Sequence, residues 1–145
     1  MISQKVEQVI NDTHKGMNPI VVGTATSLKG AEVVYKIDDA LKERKLTQKQ
    51  LAAMTGMRIA TISELVNGKG TNINYVQMLA LMAALSLTSF EQIFEIRLPE
   101  EMEKQYQRES EYWKRTKEKP LSLIHLMMDN LEKRKELELS RFMQP

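Results

Sequence analysis

The chain has no cysteine, and its 145 residues include only four prolines, six glycines and one tryptophan. Without cysteine there are no disulfides, no thiolate nucleophiles and no Cys-type zinc sites, which fits a reducing compartment. The scarcity of glycine and proline, beside 42% hydrophobic and 28% charged residues, excludes a low-complexity or disordered chain and suits a helix-rich fold. Long apolar runs are also missing. The longest stretch without a polar residue, Met78 to Leu85, is eight residues and too short to span a bilayer. The start MISQKVEQ lacks the apolar segment of a signal peptide, so a cytoplasmic protein with no membrane partner is expected. His14 and His125 stand apart from each other, so no metal site is expected. Glu100, Glu101, Glu103 and Glu109 lie in a mixed charge run that reads as a solvated helix face. No nucleophile with its base and no phosphate-binding glycine loop is present, and neither catalysis nor a cofactor is expected.

A strong excess of one charge sign is absent as well, the formal net charge being +2. Its distribution is uneven. Residues 36–94 hold seven basic and five acidic side chains, whereas residues 1–35 carry three of each sign and residues 95–145 eleven of each. The excess in the middle is a mild electrostatic preference for a polyanion.

The length allows one domain, or a small domain with extensions. Residues 1–35 read as an N-terminal helix and arm. Val6, Val9 and Ile10 have helical spacing within Ile2 to Thr13, with Ser3 available as a cap, and Gly16 with Asn18-Pro19 ends the segment. Between Ile20 and Ile37 the strand-favouring patches Ile20-Val21-Val22 and Val33-Val34-Tyr35 flank a glycine-bearing turn; a short hairpin and an extended arm both fit. Residues 97–145 read as a C-terminal helical region. Leu98-Pro99-Glu100-Glu101 starts one helix running to about Lys119, Pro120 interrupts, and Leu121 to Met143 forms a second. The apolar stripe Ile124, Met127, Met128 and Leu131 of that second helix has little within the chain to bury against, which points to self-association, with Tyr112 and Trp113 as part of the same contact.

Residues 36–96 carry the clearest signals. Thr47 with Gln50, Asn74 with Gln77, and Thr88 with Glu91 each place a polar cap three residues before its partner. Helices are expected to begin near Gln48, Tyr75 and Ser89, after an earlier one from about Ile37 to Lys45. Gly56 follows an eight-residue helix and is expected to turn the chain in the left-handed conformation. Leu51, Met57, Ile62, Leu65, Val76, Leu79, Leu85 and Phe90 are the expected buried faces.

Thr47-Gln48, Leu51-Ala52, Gly56, Ile62, Leu65, Asn67-Gly68-Lys69, Leu79 and Leu85 fall in the ungapped register of the phage repressor/Cro-like (XRE-type) helix-turn-helix family, which the segment resembles over some sixty residues. The resemblance implies a compact five-helix domain; with the N-terminal helix or arm and the long C-terminal helices of the flanking segments, an all-α fold is expected. The resemblance also implies a sequence-specific regulator of transcription that binds double-stranded DNA, as a homodimer on an inverted-repeat operator. By the same resemblance the recognition helix is Arg58 to Val66, with Arg58, Ile59, Ala60, Thr61 and Glu64 facing the major groove. Arginine can donate twice to guanine, glutamate can accept from cytosine N4, and the apolar atoms can touch thymine methyls. Gln48 corresponds to the family's phosphate-binding glutamine, and Lys69, Thr71 and Asn72 lie in the loop where the family contacts phosphate. Two departures stand out. Arg58 occupies a position where a capping serine is frequent, and Glu64 brings a carboxylate near the phosphates, so that either the operator offers cytosine there or a base such as Arg58 holds Glu64 away. The apolar pair Ile59-Ala60, Glu64 and the small net charge leave a second reading: a protein-interaction factor, antitoxin-like or inhibitor-like, that grips a protein with the same domain or its flanks.

Overall fold

The computed structural model describes residues 2–69 and 72–143. The chain divides into two compact units, residues 1–15 with 28–98, and residues 16–27 with 99–145.

In the first unit a three-stranded antiparallel sheet, β1 (Ile2–Lys5), β2 (Glu32–Tyr35) and β3 (Phe94–Arg97), joins segments far apart in sequence, with β2 in the centre. Tyr35 lies opposite both Ile2 and Phe94, and Val33 opposite both Gln4 and Ile96. Opposite charges alternate across the row Lys5, Glu32, Arg97, an arrangement that favours this register. Lys36, just after β2, reaches back to β3 with its backbone N–H on the Ile93 carbonyl at 2.7 Å and its ammonium on Glu95 at 2.6 Å. The sheet corrects the all-α expectation. Helix α1 spans only Val6–Thr13, and Ser3 is a strand residue, not its cap.

Helices α3 (Ile37–Arg44), α4 (Gln48–Thr55), α5 (Ile59–Val66) and α6 (Tyr75–Leu85) follow. Each end has a local cause. Asp38 and Asp39 sit in the first turn of α3 and Lys42 and Arg44 in its last, both favourable to the helix dipole. Two reciprocal capping boxes form as the sequence implies. The Gln50 N–H donates to Thr47 Oγ1 at 3.1 Å while the Thr47 N–H donates to Gln50 Oε1 at 2.9 Å, and Asn74 and Gln77 exchange the same bonds at 2.8 and 3.0 Å. Arg44 closes the far end of α6 by donating from Nε to the Leu85 carbonyl at 2.9 Å.

The expected fifth helix is absent. Its place is taken by a single 3-10 turn, Phe90–Gln92, that runs into β3. Its cap is Ser89, not Thr88, and Gln92, not Glu91, returns the bond: Gln92 Oε1 accepts from the N–H groups of Ser89 and Thr88. The alternation Phe94, Glu95, Ile96, Arg97 suits a strand, and pairing with β2 draws the chain out of helical conformation.

The core of this unit is Ile37, Ala40, Leu41, Leu51, Ala52, Ile62, Leu65, Val66, Leu81, Leu85 and Ile93, with Met57 and Phe90 partly buried against it. Val76 and Leu79, expected inside, are 75% and 64% exposed. Helix α6 is apolar on almost every side, so its composition does not say which face turns inward. Leu81 and Leu85 are the residues that do.

The second unit contains α2 (Pro19–Ala25), α7 (Glu100–Thr116) and α8 (Leu121–Met143). Residues 20–22 are helical, neither hairpin strand nor extended arm. Asn18, read from sequence as a helix end, is a helix start: its Oδ1 accepts from the Ile20 N–H at 2.8 Å, and Pro19 takes the first helical position. Helix α2 lies against α8, where Thr24 Oγ1 accepts from Asn130 Nδ2 at 3.0 Å. The stripe on α8 therefore does have something to pack against within the chain, though Met127, Met128 and Leu131 remain 45%, 59% and 52% exposed. Lys117, left-handed at φ 62°, ends α7 before the buried Pro120.

Candidate nucleic-acid interface

Three successive devices set the direction of α5. The Thr55 hydroxyl accepts from the Met57 N–H at 3.1 Å, the Gly56 N–H donates to the Ala52 carbonyl at 2.8 Å, and Gly56 adopts φ +78°. A left-handed residue at this point ends α4 and sends the chain off at an angle to it. Helix α5 then buries Ile62, Leu65 and Val66. With 3.6 residues per turn, that inward stripe leaves Ala60 and Glu64 on the opposite side and Thr61 on the flank.

Arg58 is the N-cap of α5 in extended conformation; its guanidinium, a donor only, cannot accept from the first-turn N–H groups and makes no capping bond. Arg58, Ala60, Glu64 and Ile59 are exposed, the last by 52%, and Thr61 is partly so. Among the described residues no ion pair involves Arg58, Glu64 or Lys69. Glu64 is thus not held by Arg58. Arg58 and Thr61 share an open cleft of about 520 Å³ with Met57, Val76, Gln77 and Ala80, which joins the start of α5 to the start of α6.

Gln48 opens α4 and is half-buried. Lys69 is exposed just past α5, its N–H donating to the Glu64 carbonyl at 3.0 Å, and Asn72 is exposed ahead of α6. Thr71 lies outside the described residues. The arrangement joins Arg58 and Thr61 in one cleft and ties Lys69 to the end of the same helix through backbone bonds; Gln48 belongs to the preceding helix.

Sequence reasoning missed Tyr75 and Val76. Tyr75, at the first position of α6, is 81% exposed, and Val76 faces the cleft that holds Arg58. The available signal was their position: the capping box at Asn74 puts both in the first turn of a helix that directly follows the loop bearing Lys69 and Asn72. A hydroxyl on an exposed ring at such a place can donate to an anion.

No described helix is long and apolar enough to cross a membrane. Residues 36–97 match the family model of the Cro/C1-type helix-turn-helix DNA-binding domain. No curated protein and no solved structure matches the chain significantly.

Proposed function

We infer that, with residues 36–97 a Cro/C1-type helix-turn-helix DNA-binding domain, this protein is a sequence-specific regulator of transcription that binds double-stranded DNA and acts as a repressor by occupying an operator. The observation that carries the reading is the outward side of α5, where Arg58, Ile59, Ala60, Thr61 and Glu64 are presented without ion-pair partners among the described residues. In the major groove such a set reads mixed sequence. Arg58 donates to guanine O6 and N7, Glu64 accepts from cytosine N4, and Ile59, Ala60 and the Thr61 methyl meet thymine methyls. Gln48, Lys69, Thr71, Asn72 and the Tyr75 hydroxyl serve as backbone contacts that fix the register. The protein works in the cytoplasm, without cofactor and without catalysis of its own.

A homodimer is part of this reading. The exposed face of α8, with Met127, Met128 and Leu131, supplies the contact, and two-fold symmetry then calls for an inverted repeat with half-site centres about 10 base pairs apart or a multiple of that. Selection of bound duplexes from a random-sequence pool, followed by footprinting, tests the whole. An inverted repeat protected on both halves supports it. Failure of the folded protein to enrich any sequence overturns it and gives the domain to protein contact, the use to which exposed Ile59, Val76 and Leu79 would then be put.

A further inference from the structure

The end of α5 is pressed against the sheet. The helix closes with the Asn67 N–H on the Ser63 carbonyl at 3.0 Å and the Lys69 N–H on the Glu64 carbonyl at 3.0 Å, and between them Gly68 takes φ +66°. The torsion is only part of what requires glycine there. A Cβ on Gly68 would collide with the Ile2 Cγ2 methyl and stand 3.3 Å from Cδ2 of the Tyr35 ring. The methyl belongs to a β-branched side chain with few rotamers to retreat into. The surface against Gly68 is itself held in place. Tyr35 is only 6% exposed, its ring meets Phe94 edge-on at 5.4 Å, and its hydroxyl donates at 3.0 Å to Oε1 of Gln4, on the same strand as Ile2. Ile2 in turn is paired opposite Tyr35 in the sheet.

We propose that strand β1 is a positioning element of the DNA interface: Ile2, seated with Tyr35 against Gly68, fixes the turn that carries Lys69, and so places the Lys69 ammonium for its phosphate. The inference rests on the DNA-binding reading above. Its physical basis is that a backbone contact is effective only from a preset position, because a loop that must be ordered on binding loses conformational entropy which a fixed loop has already lost. The Lys69 N–H to Glu64 carbonyl bond at 3.0 Å ties the turn to the helix, while the Gly68 N–H to Leu65 carbonyl bond is long, 3.4 Å, so the packing of Ile2 adds a constraint at Gly68, where the backbone bonding is weakest. Tyr35 is buried and meets Phe94, which packs on the core cluster, whereas Ile2 is 37% exposed and outside that cluster, so Ile2 is the residue whose removal tests positioning with the least effect on folding.

The test uses the full chain and four variants, Ile2→Ala, Ser3→Ala, Lys69→Ala and the Ile2→Ala/Lys69→Ala pair. Each is titrated onto a duplex selected by the wild type and onto a scrambled one, at several salt concentrations, with thermal unfolding recorded in parallel. Wild-type protein that selects no duplex ends the DNA-binding reading itself, and this inference with it. Where the wild type does bind, Ile2→Ala is expected to weaken both duplexes about three- to tenfold and to lower the salt slope toward that of Lys69→Ala, a loss of just under about one unit per missing phosphate contact. The Ser3 side chain lies on the other face of the strand, and Ser3→Ala should change neither. The double variant should bind no worse than Lys69→Ala alone, since both substitutions remove one contact. Losses that multiply in the double variant overturn the proposal. So does an Ile2→Ala protein that binds with wild-type affinity and slope. If Ile2→Ala melts much earlier, Ile2→Val takes its place, and an affinity that falls only as the unfolded fraction rises counts against positioning.

Discussion

Replacing Gly56 with alanine isolates one contribution to the direction of α5. The residue adopts φ +78°, yet a Cβ placed there meets nothing within 4 Å, so the substitution introduces a torsional cost without a clash. Its N–H can still donate to the Ala52 carbonyl, now at 2.8 Å, and the Thr55 hydroxyl can still receive the Met57 N–H. What remains is the left-handed penalty of an L-residue, roughly 1–2 kcal/mol. Alanine also restricts the unfolded chain, an effect worth about 0.4–1 kcal/mol where the native conformation suits it, which here offsets part of the penalty. The net expectation is a loss of about 1 kcal/mol, and a melting midpoint lower by roughly 4–8 °C for a cooperative unit of about 60–100 residues. Gly56→Asn should lose less, because asparagine enters the left-handed region more readily. Gly68→Ala is the internal comparison, with nearly the same torsion, φ +66°, but Ile2 and Tyr35 in the way, and should lose clearly more. Urea unfolding followed by circular dichroism measures all three. A Gly56→Ala protein as stable as the wild type would refute the torsional argument, and one that loses more than about 3 kcal/mol would show that the site is not open.

Three other outcomes follow from the same structure. Thr47→Ala removes one half of a reciprocal capping box at the start of α4 and should cost about 0.5–2 kcal/mol in chemical unfolding, with Thr47→Ser close to neutral. The Glu95 carboxyl is held down to about 2 by bonds from Arg97 and Lys36, below its ordinary value of 4.5. A group depressed in the folded state stabilises above its unfolded pKa and loses that contribution as pH falls through the folded one, so melting temperature should decline between about pH 4.5 and 2, and the decline should be shallower in Glu95→Gln. Finally, on the proposed dimer face of α8, Met128→Lys with Leu131→Lys should leave the helix content unchanged and convert a dimeric wild type to monomer in light scattering; a wild type already monomeric removes the dimer, and a variant that stays dimeric moves the interface elsewhere.

The helix-turn-helix segment was legible in the sequence because its determinants are local. Thr47 with Gln50 and Asn74 with Gln77 bond within one turn of helix, and Gly56 acts at its own φ. The outward position of Ala60 and Glu64 on α5 follows from the inward spacing of Ile62, Leu65 and Val66. Of the sheet, only the strand character of Val33-Val34-Tyr35, which lies in β2, was legible; its partners were not. Each strand has four residues, and Ile2 finds Tyr35, and Tyr35 finds Phe94, across long stretches of chain, so no short window contains both partners. Asn18-Pro19 is compatible with ending one helix or beginning another, and the choice was settled by packing of α2 on α8. Helix α6 hid its orientation for the opposite reason: apolar residues on nearly all sides give no stripe to follow, so exposed Val76 was taken for core and its place beside Arg58 was lost. The approach of Ile2 to Gly68 depends on the sheet, and was invisible for the same reason as the strand pairings.

The central claim is that the start of α5 reads bases while the turn after it holds the backbone, and Arg58→Ala compared with Lys69→Ala tests that division most directly. Both residues are exposed cations without an ion-pair partner among the described residues, so a general electrostatic role would make their losses alike. Binding is measured on a selected duplex and on a scrambled one at two salt concentrations. The account predicts that Arg58→Ala loses about 1–3 kcal/mol per half-site on the selected duplex and much less on the scrambled one, because a guanine contact exists only at the right sequence. For Lys69→Ala it predicts equal losses on both and a salt slope lower by about one unit per lost phosphate contact. Equal losses on both duplexes for Arg58→Ala would make Arg58 a phosphate contact and contradict the reading, and the absence of any loss in either variant would remove this surface from DNA altogether.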